Sequence, residues 1–197
     1  MATIILITGG ARSGKSWFAE ELCRELEGRV GYIATSQVRD DEMKIRVHQH
    51  RVRRPDHWRT WESPECDESI LSDARTHSDV LLFDCLTLYL TYWMLHDTAP
   101  KELEDREKWL LKKLDDLLAS FRDWPGTLIF VTNEVGLGIV PENKLAREFR
   151  DVAGKMNARV AQEAKEVYLV VAGQAMPVKK YAVDPKEAIS SWNLKKN

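Results

Sequence analysis

Cysteine is scarce and unpaired in this chain. Cys23, Cys66 and Cys85 are the three in 197 residues, no two of them form a CxxC, and any disulfide count leaves one over. A disulfide-stapled scaffold is thereby excluded as an expectation, and a reducing compartment is favoured. Long apolar runs are missing too: no stretch approaches the roughly 18 residues needed to span a bilayer. The opening Met1-Ala2-Thr3-Ile4-Ile5 carries no basic region of the signal-peptide kind, so the chain reads as soluble and cytoplasmic. An excess of one charge is also lacking. Lys and Arg number 29 against 31 Asp and Glu, for a net charge of −2. That balance argues against a surface built as a whole for nucleic acid or an anionic membrane, while leaving room for a local basic site. Repeats, Gly/Ser linkers and breaks in composition are absent, and the expectation is one α/β domain over residues 1–197.

What is present is a core. The chain is 44% hydrophobic, which excludes a disordered polymer. Short apolar runs at Thr3–Thr8, Val30–Ala34, Val80–Phe83, Thr127–Thr132 and Val167–Val171 show almost no polar alternation, as strands covered on both faces do. Between them lie helical stripes: Phe18, Leu22, Leu26; then Leu103, Leu110, Leu114, Leu117, Phe121; then Leu145, Phe149, Val152, Met156, Val160. Helices set between buried strands predict βαβ units and a mostly parallel sheet with flanking helices. Ligands of such sheets bind beyond the carboxyl ends of the strands.

The first predicted strand runs into Gly9, Gly10, Ala11, Arg12, Ser13, Gly14, Lys15 and Ser16, the pattern G-x-x-x-x-G-K-[ST] between strand and helix. Glycines let backbone N–H groups turn toward phosphate oxygens, and a helix N-terminus adds its dipole. Lys15 would reach the β- and γ-phosphates, and the Ser16 hydroxyl would ligate Mg²⁺. Asp84, at the tip of Leu81-Leu82-Phe83, is the expected second Mg²⁺ position, although Asp in that setting also caps helices. Asn133 and Glu134 after the Thr127–Thr132 run either project into the same crevice or form a turn; Gly136 and Gly138 suggest a close backbone approach.

The segment Lys44–Arg59 holds six Lys/Arg (44, 46, 51, 53, 54, 59), the single acid Asp56, and His48, His50 and His57. Three readings stay open. It is a solvated basic helix face; or His48 and His50 form part of a metal site, which their i, i+2 spacing allows on a strand but not on a helix; or it handles phosphate. In the last case forked arginines grip a triphosphate and disfavour imidazolium, keeping a histidine neutral and nucleophilic for attack on an α-phosphate.

Taken in order, these blocks resemble one family. Gly9–Ser16, Tyr32–Ser36, Asp41-Glu42-Met43 with Arg46, and His50-Arg51-x-x-Arg54-Pro55-x-x-Trp58-x-Thr60 come first. Asp84-Cys85-Leu86-Thr87, Val131–Pro141 and Arg147 through Asn157 follow. The pattern, over about residues 3–173, is similar to the bifunctional adenosylcobinamide kinase/adenosylcobinamide-phosphate guanylyltransferases of cobalamin biosynthesis. The resemblance implies a RecA-like P-loop NTPase fold, assembly as a homotrimer, and two reactions. A nucleoside triphosphate, ATP or GTP, phosphorylates adenosylcobinamide. GTP then transfers GMP to that phosphate through a guanylyl-histidine, releasing pyrophosphate.

The resemblance places that histidine at His50, with Lys15 and Asp84 as the other catalytic residues. Nucleotide contacts are implied at Gly9 to Ser16, at Ala34, Thr35 and Ser36, at Arg51, Val52, Arg53 and Arg54, and at Glu62 and Asp84. Mg²⁺ is implied at Ser16 and Asp84. Departures from the family pattern fall at Tyr92, at Ala158 and in the tail 181–197, away from the P-loop and the His50 block. A P-loop small-molecule kinase without a covalent intermediate, and a nucleotide-gated binding protein, are the competing functions.

Overall fold

A computed structural model describes residues 1–37, 44–45, 51–52 and 54–193. Seven strands form one sheet: β1 Thr3–Gly9, β2 Val30–Ala34, β3 Arg59–Glu62, β4 Val80–Asp84, β5 Thr127–Val131, β6 Glu166–Val171 and β7 Gln174–Pro177. Their order across the sheet is β3-β2-β4-β5-β1-β6-β7. Every pairing is parallel except β6 with β7, an antiparallel hairpin at the edge. The helices among the described residues are α1 Lys15–Glu25, α2 Glu68–His77, α3 Leu86–Met94, α4 Leu103–Ser120, α5 Lys144–Glu163, α6 Val178–Tyr181 and α7 Pro185–Asn193. The five strands expected from apolar runs are all present, each within one residue of its expected limits.

The alternation of the strands divides the core by parity. Ile4, Leu6, Leu81, Phe83, Leu128 and Phe130 face one side, where Leu71 of α2, Leu86 and Leu90 of α3, Leu114 of α4 and Val152 and Val160 of α5 cover them. Ile5, Ile7, Tyr32, Ala34, Leu82, Ile129 and Val131 face the other, covered by Ala19 and Cys23 of α1 and by Trp58. Among the described residues the second layer is the smaller of the two. Over β2 it includes the tight segment Arg54–Trp58, in which Arg54 N donates to Arg51 O and Trp58 N to Pro55 O. Both Arg54 and Trp58 are buried.

Registers align the strand ends where the candidate residues sit. Ala34 lies opposite Asp84, Asp84 opposite Val131, and Val131 opposite Ile7. Thus β5 separates the strand leading to the glycine loop from the strand ending in Asp84. No helix among the described residues is long and apolar enough to cross a membrane.

Candidate active site

The loop after β1 closes on itself and on the edge hairpin. Gly14 has φ +98°, a left-handed conformation that suits glycine, and forms the N-cap of α1. A Cβ on Gly14 would come within 3.2 Å of Gly173 Cα, and Gly173 N donates to Ser13 O at 2.8 Å. The β6–β7 turn therefore braces the glycine loop. A Cβ at Gly9 would meet Val170 O and, at 2.7 Å, Ser13 Oγ, so that position tolerates no side chain. Inside the loop Lys15 Nζ donates to Gly10 O at 3.0 Å. Lys15 is 8% exposed. Burial pulls its amine below the usual lysine range, against the opposing effects of Cys85 and Asp84.

Asp84 is held from two sides. Ala34, its neighbour in register, is small, which leaves room over Asp84 for the ring of Tyr32 two residues earlier on the same face. The Tyr32 hydroxyl donates to Asp84 Oδ2 at 2.9 Å. Burial first, and the Asp84 charge second, push Tyr32 well above the usual tyrosine range, so it stays a donor. On the other side Thr35 clasps the next residue: Cys85 N donates to Thr35 Oγ1 at 2.7 Å and Thr35 Oγ1 donates to Cys85 O at 2.8 Å.

The described part of the basic segment reaches this cluster. The Arg54 guanidinium lies 3.7 Å from the centroid of the Tyr32 ring. Its Nη1 also donates to Thr60 Oγ1 at 3.3 Å. Arg51 and Val52 are exposed, and Arg51 pairs with Glu62 at the end of β3. Arg59, counted above with the basic segment, belongs elsewhere. It sits in β3, stacks on Trp61 and donates to Asp73 Oδ2 at 2.6 Å, so its charge is spent on α2. His50 and Arg53 lie outside the described residues, as do His48, Asp41, Glu42, Met43 and Arg46.

The residues after β5 are tied by hydrogen bonds to the glycine loop and to α3. Glu134 N donates to Gly9 O at 3.0 Å. Asn133 N and Nδ2 both donate to Thr87 Oγ1, at 2.8 and 3.2 Å. A Cβ on Gly138 would meet nothing within 4 Å, and one on Gly136 only Glu134 Oε1. Beside these glycines Leu137, Ile139 and Val140 are exposed.

Sequence reading gave no role to Tyr32, Thr132, Asn157 or Gly173. Signals for them exist. A tyrosine in a strand buried on both faces needs a hydroxyl partner. An Asn on the buried face of α5 needs one as well. A glycine between two short strands marks a hairpin.

A parallel sheet with a glycine-rich loop opening a helix, a buried lysine in that loop, and an aspartate at the tip of another strand define a P-loop nucleotide-binding protein. In fold it is similar to an ATPase from the type III secretion system of pathogenic bacteria. That match has a TM-score of 0.59 at 14% identity, spanning 100% of this chain and 64% of the ATPase.

The chain belongs to the cobinamide kinase / cobinamide phosphate guanyltransferase family, whose model matches residues 5–178. It is 44% identical over 182 residues to the bifunctional adenosylcobalamin biosynthesis protein CobU of Escherichia coli strain K12, covering 89% of this chain and 99% of that one. The CobU of Salmonella typhimurium is 43% identical over 184 residues, with the same coverages. The bifunctional adenosylcobalamin biosynthesis protein CobP of Pseudomonas aeruginosa is 44% identical over 174 residues, covering 88% of this chain and 96% of that protein.

Proposed function

We propose that this chain phosphorylates adenosylcobinamide with a nucleoside triphosphate and then guanylylates the product with GTP, giving adenosylcobinamide-GDP and pyrophosphate. Beyond family membership, one observation supports the reading: Arg54, from the basic segment, is buried against Tyr32, whose hydroxyl holds Asp84. The segment assigned to guanylyl transfer thus meets the cluster assigned to phosphoryl transfer.

In the first reaction the glycine-loop N–H groups and Lys15 grip the β- and γ-phosphates. The substrate hydroxyl oxygen attacks the γ-phosphorus and its proton passes to solvent, the bond to the β–γ bridging oxygen breaks, and the nucleoside diphosphate leaves. Ser16 and Asp84 offer a hydroxyl and a carboxylate, hard oxygen donors that suit Mg²⁺, which when bound neutralises charge developing on the phosphate oxygens.

In the second reaction an imidazole nitrogen of His50 attacks the α-phosphorus of GTP, pyrophosphate departs, and a phosphoramidate to GMP remains. The substrate phosphate then displaces the histidine, restoring it. Arg51, Arg53 and Arg54 counter the negative charge and keep the imidazole neutral before attack. Arg51, bonded in the chain directly to His50, pairs with Glu62, which ties that part of the segment to β3.

The exposed Leu137, Ile139 and Val140 support assembly of copies, as the trimer implied by the resemblance requires. The three buried free thiols are consistent with a cytoplasmic setting. Mass spectrometry of adenosylcobinamide incubated with enzyme, Mg²⁺ and GTP tests the proposal. Successive gains of one phosphoryl and one guanylyl group are expected; a phosphorylated product that never acquires GMP would reduce the protein to a kinase.

A further inference from the structure

Tyr32 touches both halves of the chemistry. Its ring, 4% exposed, carries the Arg54 guanidinium at 3.7 Å, and its hydroxyl reaches Asp84 Oδ2 at 2.9 Å. Arg54 is itself 8% exposed, so the stack is largely withdrawn from water, where a cation over an aromatic face is held most firmly. A hydroxyl that donates to a carboxylate fixes that carboxylate's rotation about its own bond and leaves the second oxygen, Oδ1, for another partner. Three residues from three separate parts of the chain are therefore linked in series: Arg54 from the segment before β3, Tyr32 from β2 and Asp84 from β4. The backbones of β2 and β4 are each hydrogen-bonded on both sides, so Tyr32 and Asp84 both stand on a fixed frame.

We infer that Tyr32 is a positioning residue that couples the seating of Arg54 on a nucleotide to the orientation of Asp84 toward a divalent cation. The inference rests on the assignment of Arg54 as a nucleotide contact and Asp84 as a cation ligand made above. Linkage then requires that the cation strengthen nucleotide binding, and that this gain pass in part through the Tyr32 hydroxyl. Tyr32→Phe keeps the ring under Arg54 and removes the hydroxyl. Tyr32→Leu removes both.

The test measures binding of GMPCPP, a GTP analogue whose methylene α–β bridge an attacking histidine cannot displace, to the full chain, once with Mg²⁺ and once with EDTA. For Tyr32→Phe the affinity in EDTA is expected to equal that of the unaltered protein. Its gain on adding Mg²⁺ is expected to shrink about tenfold, the size of one hydrogen bond to a charged group. For Tyr32→Leu the affinity in EDTA falls as well, because Arg54 loses its platform. A Tyr32→Phe protein that keeps the full Mg²⁺ gain overturns the inference. So does one that loses affinity equally in both conditions, which is how a purely structural residue behaves. Binding requires no turnover, so these outcomes stand whether or not the chain forms a guanylyl-histidine, and that failure is scored separately by labelling with GTP.

Discussion

Thr132 Oγ1 donates to Asn157 Oδ1 at 2.8 Å, and Asn157 Nδ2 donates in turn to Asn133 O at 3.2 Å. A side chain on α5 thereby sets the backbone of the residues that follow β5. Thr132 and Asn157 are both buried, so Asn157→Ala leaves the Thr132 hydroxyl and the Asn133 carbonyl without these partners. The expected loss of stability is about 1–3 kcal/mol, read by urea unfolding. Turnover of the phosphorylation step should fall with it, because the Asn133–Glu134 segment is pinned to Gly9 O and loosens next to the glycine loop.

Lys15 separates activity from stability. Its amine is buried, and desolvation chiefly holds its pKa below the ordinary lysine value of 10.5. The folded state thus binds this proton less readily than the unfolded chain does. Its contribution is unfavourable below the folded pKa and is relieved as pH rises through that pKa toward 10.5. Lys15→Met is therefore expected to melt no lower than the unaltered protein at pH 7. Its kcat/KM for both reactions should drop by a factor on the order of 10²–10³, the scale of losing one charged donor at a reacting group. Calorimetry beside steady-state kinetics reads both.

Arg106 and Glu148 form a two-pronged pair between α4 and α5, with Nε–Oε1 at 2.5 Å and Nη2–Oε2 at 2.6 Å. The Glu148 side chain is 3% exposed. Arg106→Met strands that carboxylate in the core and should cost about 3 kcal/mol or more. Adding Glu148→Leu should recover most of the loss, since the buried charge is gone. Denaturant midpoints of the two proteins decide it.

Acid sensitivity has a local source at Asp79. Hydrogen bonds from the Arg29 side chain and backbone hold its carboxyl at about 2, below the ordinary aspartate value of 3.8. A depressed folded pKa contributes stability above 3.8 that is lost as pH falls toward 2. Asp79→Asn should flatten the stability profile in that window and leave its shape near pH 7 unchanged, as thermal melts across pH would show.

Strands buried on both faces were readable because they are continuous apolar runs. The two that went unread lack that mark. Only Trp61 is buried in Arg59–Glu62, and Gln174–Pro177 has no buried residue at all; both form because a neighbouring strand supplies the partners. Helix α3, Leu-Thr-Leu-Tyr-Leu-Thr-Tyr-Trp-Met, is apolar nearly all round and shows no 3.6-residue stripe. At the site the glycine loop and Asp84 were readable from local pattern. The Tyr32–Asp84 bond and the Thr132–Asn157 bond were not, since they join residues 52 and 25 positions apart. The basic segment was over-read in one respect: charge counting assigned it Arg59, which strand pairing directs to Asp73 instead.

The central claim, that GTP guanylylates the protein itself at His50, is tested most directly by trapping. The full chain is incubated with Mg²⁺ and GTP labelled at the α-phosphate, then denatured in alkali and separated from free nucleotide. Acid-labile label on the unaltered protein, absent from His50→Ala and chased off by adenosylcobinamide phosphate, is the predicted result. An unaltered protein that binds GTP yet carries no label, or a His50→Ala protein that is labelled equally, would contradict it.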